Sequence, residues 1–446
     1  MTTDSILRQC CNFAASELLS IDAWQQSTAV LNHRPTSNSV SICNALLSFF
    51  CIAFSSPSFS ETDSSNIDSW QGEFEDRVKI SGFARIVGGY LDTEQASFRG
   101  YENSLSFNEQ SLFAVQLDAT LTDSISFTTQ VLAHKADTRD SGVEWAYFTY
   151  SPNRNWQARV GKQRTPFYTY SDVLDVGYAY PYIDAPVQIY SSNLFTNYEG
   201  INVSYQTGYQ DLLLGVEVFW GSYDDELTTD IISFDLKVED LKGLILNGKY
   251  DNFEARIGYY QANMDLQIPS ITELVKQLQF FNFNQSAASL DFNGSVKFKH
   301  AALSYKSLTW FVELEVSDLH TEVLLVPDIE SYLLTVGYQF DDFSIYANVS
   351  GSNNTIKTAV NEIPIGIDPG LDQLAFAYQS VFQQVGADDL RSYTLGVRYD
   401  LPKSMALKAS LTRLNGESGQ RSFFDINNPS FDRKANLYQI ALEWAF

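Results

Sequence analysis

From residue 78 to the end of the chain, apolar and polar side chains alternate with a period of two in segment after segment. The alternation is clearest in residues 78–90, 113–121, 310–316, 393–401 and 438–446. One face of each segment is apolar and bounded by aromatic residues, whereas the other carries charged or polar ones. A period of two is typical of a β-strand whose two faces meet different surroundings. This region is therefore predicted to be all-β.

The last segment, NLYQIALEWAF, has no turn or loop after it. Its apolar face consists of Tyr438, Ile440, Leu442, Trp444 and Phe446. Soluble domains usually end in a polar, frayed tail. In hydrocarbon, every backbone N–H and C=O group must be paired internally, so a sheet can cross a membrane only as a barrel without edges. We expect the last strand to pair with the first. A soluble β-sandwich would also alternate, but charges on the opposite face of nearly every strand argue against it.

Short turns and long polar loops alternate between the predicted strands. The short turns are expected near residues 122–124, 151–155, 206–210, 251–252, 306–308, 341–342 and 402–404. The long loops are expected near residues 92–110, 135–142, 164–199, 221–240, 263–294, 317–330, 350–390 and 415–434, with helices starting near 269 and 370. Fifteen connections join sixteen strands. This is the plan of a transmembrane antiparallel up-and-down β-barrel with short periplasmic turns and long extracellular loops.

The first 60 residues differ in composition from the rest of the chain. An apolar block at residues 43–54 is followed by small residues and Pro57, with Ser58 and Ser60 placed for cleavage after residue 60. This is the anatomy of a secretory signal peptide. We interpret residues 1–60 as a signal peptide preceded by an N-terminal extension from a start codon assigned too early, and residues 61–77 as a short periplasmic segment before the barrel at 78–446. The alternative is a soluble N-terminal segment with a buried helix at 43–54.

Charge, cysteine content and hydropathy exclude several classes of protein. The formal net charge of −25 would repel nucleic acid, so no nucleic-acid partner is expected. The four cysteines, Cys10, Cys11, Cys43 and Cys51, all precede the barrel, which can therefore form no disulfide or thiolate metal site. Beyond residue 60 no apolar run reaches the ~20 residues of a membrane-spanning helix.

The terminal face from Tyr438 to Phe446 resembles the last-strand signal of the Gram-negative outer-membrane porin family, and the resemblance extends over residues 75–446. The resemblance implies a barrel in outer-membrane lipid and lipopolysaccharide, recognised at its C-terminal strand by the barrel-assembly machinery. It also implies a homotrimer of sixteen-stranded barrels, each narrowed by its third outer loop. The chain lacks the Pro-Glu-Phe-Gly-Gly-like segment of general porins and looks more like a less characterised γ-proteobacterial branch, so the resemblance identifies no particular solute.

The corresponding loop, predicted at residues 164–199, is long and rich in tyrosine. Sixteen strands leave an aqueous channel, and its narrowest point sets selectivity. The candidate constriction residues on the loop are Asp172, Asp175, Asp184, Tyr168 and Tyr170. By alternation, the basic residues that face inward from the strands are Lys79, Arg85, Arg159, Arg256, Arg398 and Lys408. Loop carboxylates opposite a basic wall would create a transverse field. The alternatives are that these charges are solvated away from the constriction, and that the tyrosines pack the loop against the wall instead of forming a sugar-stacking surface.

The residues after the leader show no arrangement for catalysis. His134, His300 and His320 lack metal-ligand spacing, and a barrel lipid hydrolase would need a Ser–His pair on the lipid face. We therefore expect no enzyme and no cofactor. The predicted function is an outer-membrane porin for passive diffusion of small hydrophilic solutes, with the negative charge favouring cations. The alternatives are a channel selective for a sugar or organic acid, and a non-conducting adhesin or receptor; residues 61–77 are too few for a plug.

Overall fold

The computed structural model describes residues 77–136, 141–190, 195–228, 233–383 and 387–446. The predicted signal peptide with its extension, and all but the last residue of the predicted periplasmic segment, lie outside these residues.

The described chain is built mainly of antiparallel strands. The strands are β1 (Val78–Leu91), β2 (Ala96–Phe98), β3 (Leu112–Thr122), β4 (Ile125–His134), β5 (Gly142–Tyr150), β6 (Trp156–Arg164), β7 (Asn197–Tyr209), β8 (Leu212–Thr228), β9 (Ser233–Tyr250), β10 (Phe253–Gln267), β11 (Asn293–Lys306), β12 (Trp310–Thr321), β13 (Asp328–Gln339), β14 (Phe343–Thr355), β15 (Leu390–Leu401), β16 (Met405–Gly416), β17 (Phe424–Ile426) and β18 (Lys434–Ala445). The helices are α1 (Val187–Tyr190), α2 (Pro269–Phe280), α3 (Asn284–Ala288) and α4 (Pro369–Gln383). Each strand except β2 and β17 pairs with its neighbours around a closed barrel, which confirms the predicted sixteen strands.

The barrel closes where the first strand meets the last. β1 pairs with β18 in a register from Phe83 opposite Ala445 to Leu91 opposite Leu437. Beyond the last pair, Phe446 and Gly82 exchange two backbone hydrogen bonds of 2.9 Å. A Cβ atom at Gly82 would lie 2.6 Å from the Phe446 ring, so glycine is what lets the terminal ring lie over β1. The aromatic end of the chain thus seals the seam, as the requirement for internal pairing predicts.

The two faces of the strands follow the predicted alternation. On β1, Ile80 and Ile86 are exposed on the outer surface, whereas Arg85 between them is buried inside. On β18 and at the residue that follows it, every position of the predicted terminal signal is exposed on the outer surface: Tyr438, Ile440, Leu442, Trp444 and Phe446. An apolar outer face against lipid and a charged inner face is the arrangement of a membrane barrel.

The outer connections differ from one another more than the sequence suggested. The two predicted helices are confirmed as α2 in the fifth loop and α4 in the seventh, and α3 in the fifth loop was not predicted. The helices pack together through residues such as Leu274, Leu278 and Tyr378. The long fourth loop predicted at 221–240 is wrong, because β8 continues to Thr228 and β9 starts at Ser233. The sixth loop, predicted at 317–330, is shorter than expected, because β12 continues to Thr321 and β13 begins at Asp328. None of the helices in the described ranges is long and apolar enough to cross a membrane.

Candidate functional site: the third loop inside the barrel

The third loop, defined here as residues 165–196 between β6 and β7, is described except for residues 191–194. It forms two 3₁₀ turns, at Ser171–Val173 and Gly177–Ala179, followed by the single helical turn α1. Pro166, Pro181 and Pro186 cannot donate a backbone hydrogen bond, which disfavours a regular strand here. The loop folds into the lumen, because its residues bond to inward-facing side chains of strands across the barrel.

Lys408 on β16 is one of the main attachment points of the loop. Its Nζ donates to the carbonyl oxygens of Gly177 at 2.7 Å, Tyr180 at 2.7 Å and Tyr182 at 2.8 Å. The same ammonium lies 2.6 Å from a carboxylate oxygen of Glu443 on β18, and both side chains are fully buried. A buried charge is stable only when it is paired and hydrogen-bonded, and the loop carbonyls complete the shell of Lys408.

Three further basic residues of the predicted wall bind the loop in the same way. Arg398 donates to the carbonyl oxygens of Tyr178 at 2.8 Å and Tyr180 at 3.0 Å. Arg85 donates to the carbonyl of Ile183, and Arg256 to that of Pro166. The loop backbone lacks strand partners for these carbonyls, so the cations supply the hydrogen bonds that a sheet would otherwise provide.

Glu443 is the counter-charge behind the loop. Besides Lys408, it lies 3.4 Å from the guanidinium of Arg85. A Cβ atom at Gly177 would lie 2.1 Å from the Glu443 carboxylate, so the loop reaches this ion cluster only because residue 177 is glycine.

Tyrosine hydroxyls fix another edge of the loop to β12. Tyr182 donates to Glu313 at 2.5 Å, and Tyr170 donates to the other oxygen of the same carboxylate. Tyr190 donates to Glu315 at 2.9 Å, and the Nε2 atom of His300 lies 3.0 Å from that carboxylate. The rings pack against one another and the wall, with Tyr168, Tyr170, Tyr180 and Tyr182 all buried. This arrangement agrees with packing of the loop and not with a sugar-stacking surface.

The loop carboxylates are distributed differently from the expected row facing a basic wall. Asp175 is buried in an ion pair of 2.5 Å with Arg164, which also binds Glu144 at 3.0 Å. Asp184 pairs with Arg99 and accepts a hydrogen bond of 2.8 Å from Gln110. Two of the three loop aspartates therefore hold the loop in place. Their partners are Arg99 and Arg164, which were not among the predicted basic residues of the wall.

Asp172 is exposed, and no ion pair to it occurs within the described residues. Arg159 projects from the inner face of β6, lies over the Tyr147 ring at 5.5 Å and donates to Gln157 at 3.0 Å. Asp172 on the loop and Arg159 on the wall are thus sequence-predicted charges that belong to none of the buried ion pairs among the described residues.

Polar side chains on the inner wall differ in burial. Buried polar side chains behind the loop are Glu313, Glu315, Ser350, Lys408 and Glu443. Half-buried polar side chains on the inner face of β3, β6 and β7 are Gln116, Asp118, Gln157, Arg159 and Ser204, whereas Gln130 of β4 and Asn202 of β7 are buried. Lys79 is exposed on the inner face at the start of β1 and makes no ion pair or hydrogen bond to the loop among the described residues.

Sequence reasoning missed several residues of this arrangement. The alternation with apolar neighbours predicts that three glutamates face inward: Glu313, Glu315 and Glu443. It does not predict that they bond to the third loop. Arg99 and Arg164 lie at or beyond strand ends, where alternation gives no direction. Within the described ranges, no cluster of three or more His, Cys, Asp or Glu side chains is placed to hold a metal ion.

Comparisons with known proteins agree on one class. The model of a family described as Gram-negative porin matches residues 45–419. No curated protein matches the chain significantly. An anion-selective porin from Comamonas acidovorans is 11% identical over 83% of this chain and 99% of that chain, with a TM-score of 0.50. The loop L8 deletion mutant of OmpT, an outer membrane protein of Vibrio cholerae, is 14% identical over 83% and 99% of the two chains, with a TM-score of 0.49. OmpF of Salmonella typhi, in complex with daunomycin, is 11% identical over 83% and 97%, with a TM-score of 0.49.

Proposed function

This chain belongs to the Gram-negative porin family and to the outer membrane, and from that premise we propose that small hydrophilic solutes diffuse through its barrel past the third loop. The mechanism is passive. Solutes move down their own gradients through a water-filled lumen, and the loop limits their size.

The observation that carries this proposal is the attachment of the third loop to the inner wall by buried charged side chains. Lys408, Arg398 and Arg85 hold its backbone against one part of the wall. A loop fixed by buried charge-assisted hydrogen bonds stays in place and narrows the lumen without filling it. The half-buried polar side chains of β3 to β7 then line the remaining opening.

Charge selection in this opening is assigned to Asp172 on the loop and Arg159 on the wall. Arg159 lies over the Tyr147 ring, Asp172 is exposed on the loop, and neither belongs to the buried clusters that tie the loop down. Opposite charges across a narrow opening produce a transverse field that orients dipolar solutes. The net charge of −25 raises the local cation concentration, so we propose a weak preference for cations.

Conductance in planar bilayers tests the channel itself. We expect stepwise openings, and swelling of proteoliposomes in small sugars that declines as sugar size increases. A correctly folded protein that shows no conductance would contradict the channel and favour a non-conducting adhesin or receptor. Saturable uptake of one sugar or organic acid, with others excluded at equal size, would favour the substrate-selective alternative.

The Asp172→Asn variant tests the charge filter. Removing one exposed carboxylate should lower the cation-to-anion permeability ratio by a factor of about 1.4 to 5, the equivalent of ~0.2–1 kcal/mol for an exposed charge interaction. Asp341→Asn is the matched control, because it removes the same charge from an exposed short turn between β13 and β14. Equal reversal potentials in the two variants would remove Asp172 from the filter.

We further propose a homotrimer, folded by the barrel-assembly machinery and surrounded by lipid and lipopolysaccharide. A trimer form is described for OmpT of Vibrio cholerae. The exposed aromatic face of β18, ending at Trp444 and Phe446, is proposed as the assembly signal. Chemical crosslinking of native membranes tests the trimer, and a product no larger than the monomer would contradict it.

A further inference from the structure

The inner wall of the barrel is apolar over one part of its outer half. Strands of a water-filled barrel normally present polar side chains to the lumen. Here the inward-facing residues Val238 and Leu241 of β9, Met264 of β10, Phe298 of β11 and Leu319 of β12 are all apolar and buried. They lie toward the strand ends that lead to the outer connections. A wall of this kind does not serve the passage of hydrophilic solutes.

These side chains only partly pack against the third loop. A cavity of about 320 Å³ remains between them, Phe167 and Phe195 of the loop, and the connection at Leu325–Pro327. An apolar cavity of about 150 Å³ is large enough to bind benzene. The space here is therefore sufficient for a solute with two fused rings.

Aromatic side chains give the cavity a preference for ring systems. The Phe167 ring meets Tyr260 and Phe298 edge to face, with centroids 5.1 Å and 5.6 Å apart. Rings placed in this way present both edges and faces to the space that they line, and an inserted ring can extend the same arrangement.

The polar rim of the cavity carries one sign of charge. Among the described residues that line it, Asp388 is the charged one, and it accepts a hydrogen bond of 2.8 Å from the backbone N–H of Phe423. The Gln188 amide at the same rim is already engaged, because it donates to Ser392 at 2.9 Å and accepts from Ser350 at 3.0 Å. A carboxylate with remaining acceptor capacity favours a cationic group over an anionic one.

We propose that this cavity binds small aromatic cations, with the ring system against the apolar wall and the ammonium group toward Asp388. The cavity is then a binding site on the outer side of the third loop. Binding there raises the local concentration of such solutes before the constriction. The proposal depends on the proposed function in one respect, since the solute must reach the cavity through the outer mouth of the barrel.

Binding is measured with the full chain in lipid nanodiscs, because detergent micelles would absorb an apolar probe. Tryptamine is the probe, indole-3-acetate is the anionic counterpart of similar size, glucose is the hydrophilic control, and empty nanodiscs correct for partitioning into lipid. We expect saturable tryptamine binding at one site, weaker indole-3-acetate binding and no glucose binding by equilibrium dialysis. Tryptamine uptake equal to that of empty nanodiscs would overturn the proposal.

Two cavity-filling variants locate the site. Ala262→Trp places an indole in the cavity from β10, and Val326→Trp does so from the outer connection, where it does not disturb the barrel wall. Each should weaken tryptamine binding at least tenfold, equivalent to about 1.4 kcal/mol. Leu213→Trp is the control, because it adds the same ring to an exposed inner position of β8 near the short-turn end. Unchanged binding in both filling variants, or equal loss in the control, would overturn the assignment.

Asp388→Asn tests the charge preference. Tryptamine binding should fall by a factor of roughly 1.4 to 5, as for a partly exposed ion pair, while indole-3-acetate binding should not fall. An equal fall for both probes would contradict the assigned role of the carboxylate.

Conductance of the same purified protein in planar bilayers distinguishes the proposed aromatic site from the proposed channel. Protein that conducts but does not bind tryptamine overturns the aromatic site and leaves the channel intact. Protein that binds tryptamine but does not conduct overturns the channel and leaves the site intact.

Discussion

Replacing Lys408 with methionine tests how the third loop is held inside the barrel. Methionine keeps the aliphatic stem but removes the ammonium, which donates to three loop carbonyls and pairs with Glu443. If these bonds fix the loop, Lys408→Met should release the part of it around Gly177 and Tyr182. The barrel wall itself should remain closed, because its backbone pairing does not depend on this side chain.

The expected magnitude follows from the bonds that are lost. At about 1.5–3 kcal/mol for each hydrogen bond to a charged group, three bonds sum to roughly 4.5–9 kcal/mol. This sum is an upper bound, because exposing the ammonium to water in the detached state recovers part of it. Removal of one partner from a buried ion pair typically costs about 3–5 kcal/mol. We therefore expect the free energy of detaching the loop to fall by about 3–5 kcal/mol, which raises the detached population roughly 150- to 4,000-fold.

Single-channel conductance and the sugar size limit of proteoliposomes measure this release. Lys408→Met should show larger or flickering openings and should admit larger sugars than the unaltered protein. Lys79→Met is the matched control, because it removes the same charge from the same inner face at an exposed position away from the loop. If both variants showed the same conductance and the same size limit, the attachment described here would be refuted.

A second variant distinguishes the hydrogen bonds from the ion pair. Glu443→Gln keeps the three carbonyl bonds of Lys408 and should release the loop less. The double variant with Lys408→Met should lose less free energy of loop attachment than the sum of the two single variants, because the amide introduced by Glu443→Gln carries no charge that Lys408 would have to compensate. Strict additivity would show that the two side chains do not act as one unit.

Three further substitutions probe other parts of the barrel. Gly177→Ala adds a Cβ atom 2.1 Å from the Glu443 carboxylate, and we expect a loss of about 1–3 kcal/mol in unfolding free energy, seen as a lower urea midpoint; an unchanged midpoint would show that the loop moves away without cost. Tyr182→Phe removes the donor at 2.5 Å from Glu313 and should cost roughly 1.5–3 kcal/mol in the same assay, and a gain in stability would contradict the hydrogen bond. Phe446→Ala should reduce the yield of heat-modifiable folded barrel in membranes, while a normal yield would argue against a role of the terminal ring in assembly.

The number and closure of the strands were predictable from the sequence because they depend on local pattern. Each strand meets lipid on one side and polar surroundings on the other, so alternation appears within a few residues, as at Ile80, Arg85 and Ile86 of β1. The prediction of a long fourth loop was wrong although the alternation continues there, at Leu236 and Val238. Strands β8 and β9 extend through most of the predicted loop.

The path of the third loop was not predictable, because it depends on contacts between residues far apart in the chain. Lys408 binds the carbonyl of Gly177 across 231 positions, and Tyr170 reaches Glu313 across 143. Alternation tells only that such a side chain faces inward. It does not tell whether the side chain meets water or protein, since a charge is compatible with both.

The sequence by itself therefore determined that this chain forms a closed barrel with an apolar exterior, since lipid on one side of each strand and polar groups on the other impose a period of two. Only the tertiary structure decided which inward charges remain accessible. Lys408 and Asp175 form buried ion pairs that hold the third loop, whereas Asp172 is exposed and Arg159 is half-buried. The physical reason is that burial and pairing of a charge depend on where the loop lies, and the loop lies where distant strands supply partners for its backbone.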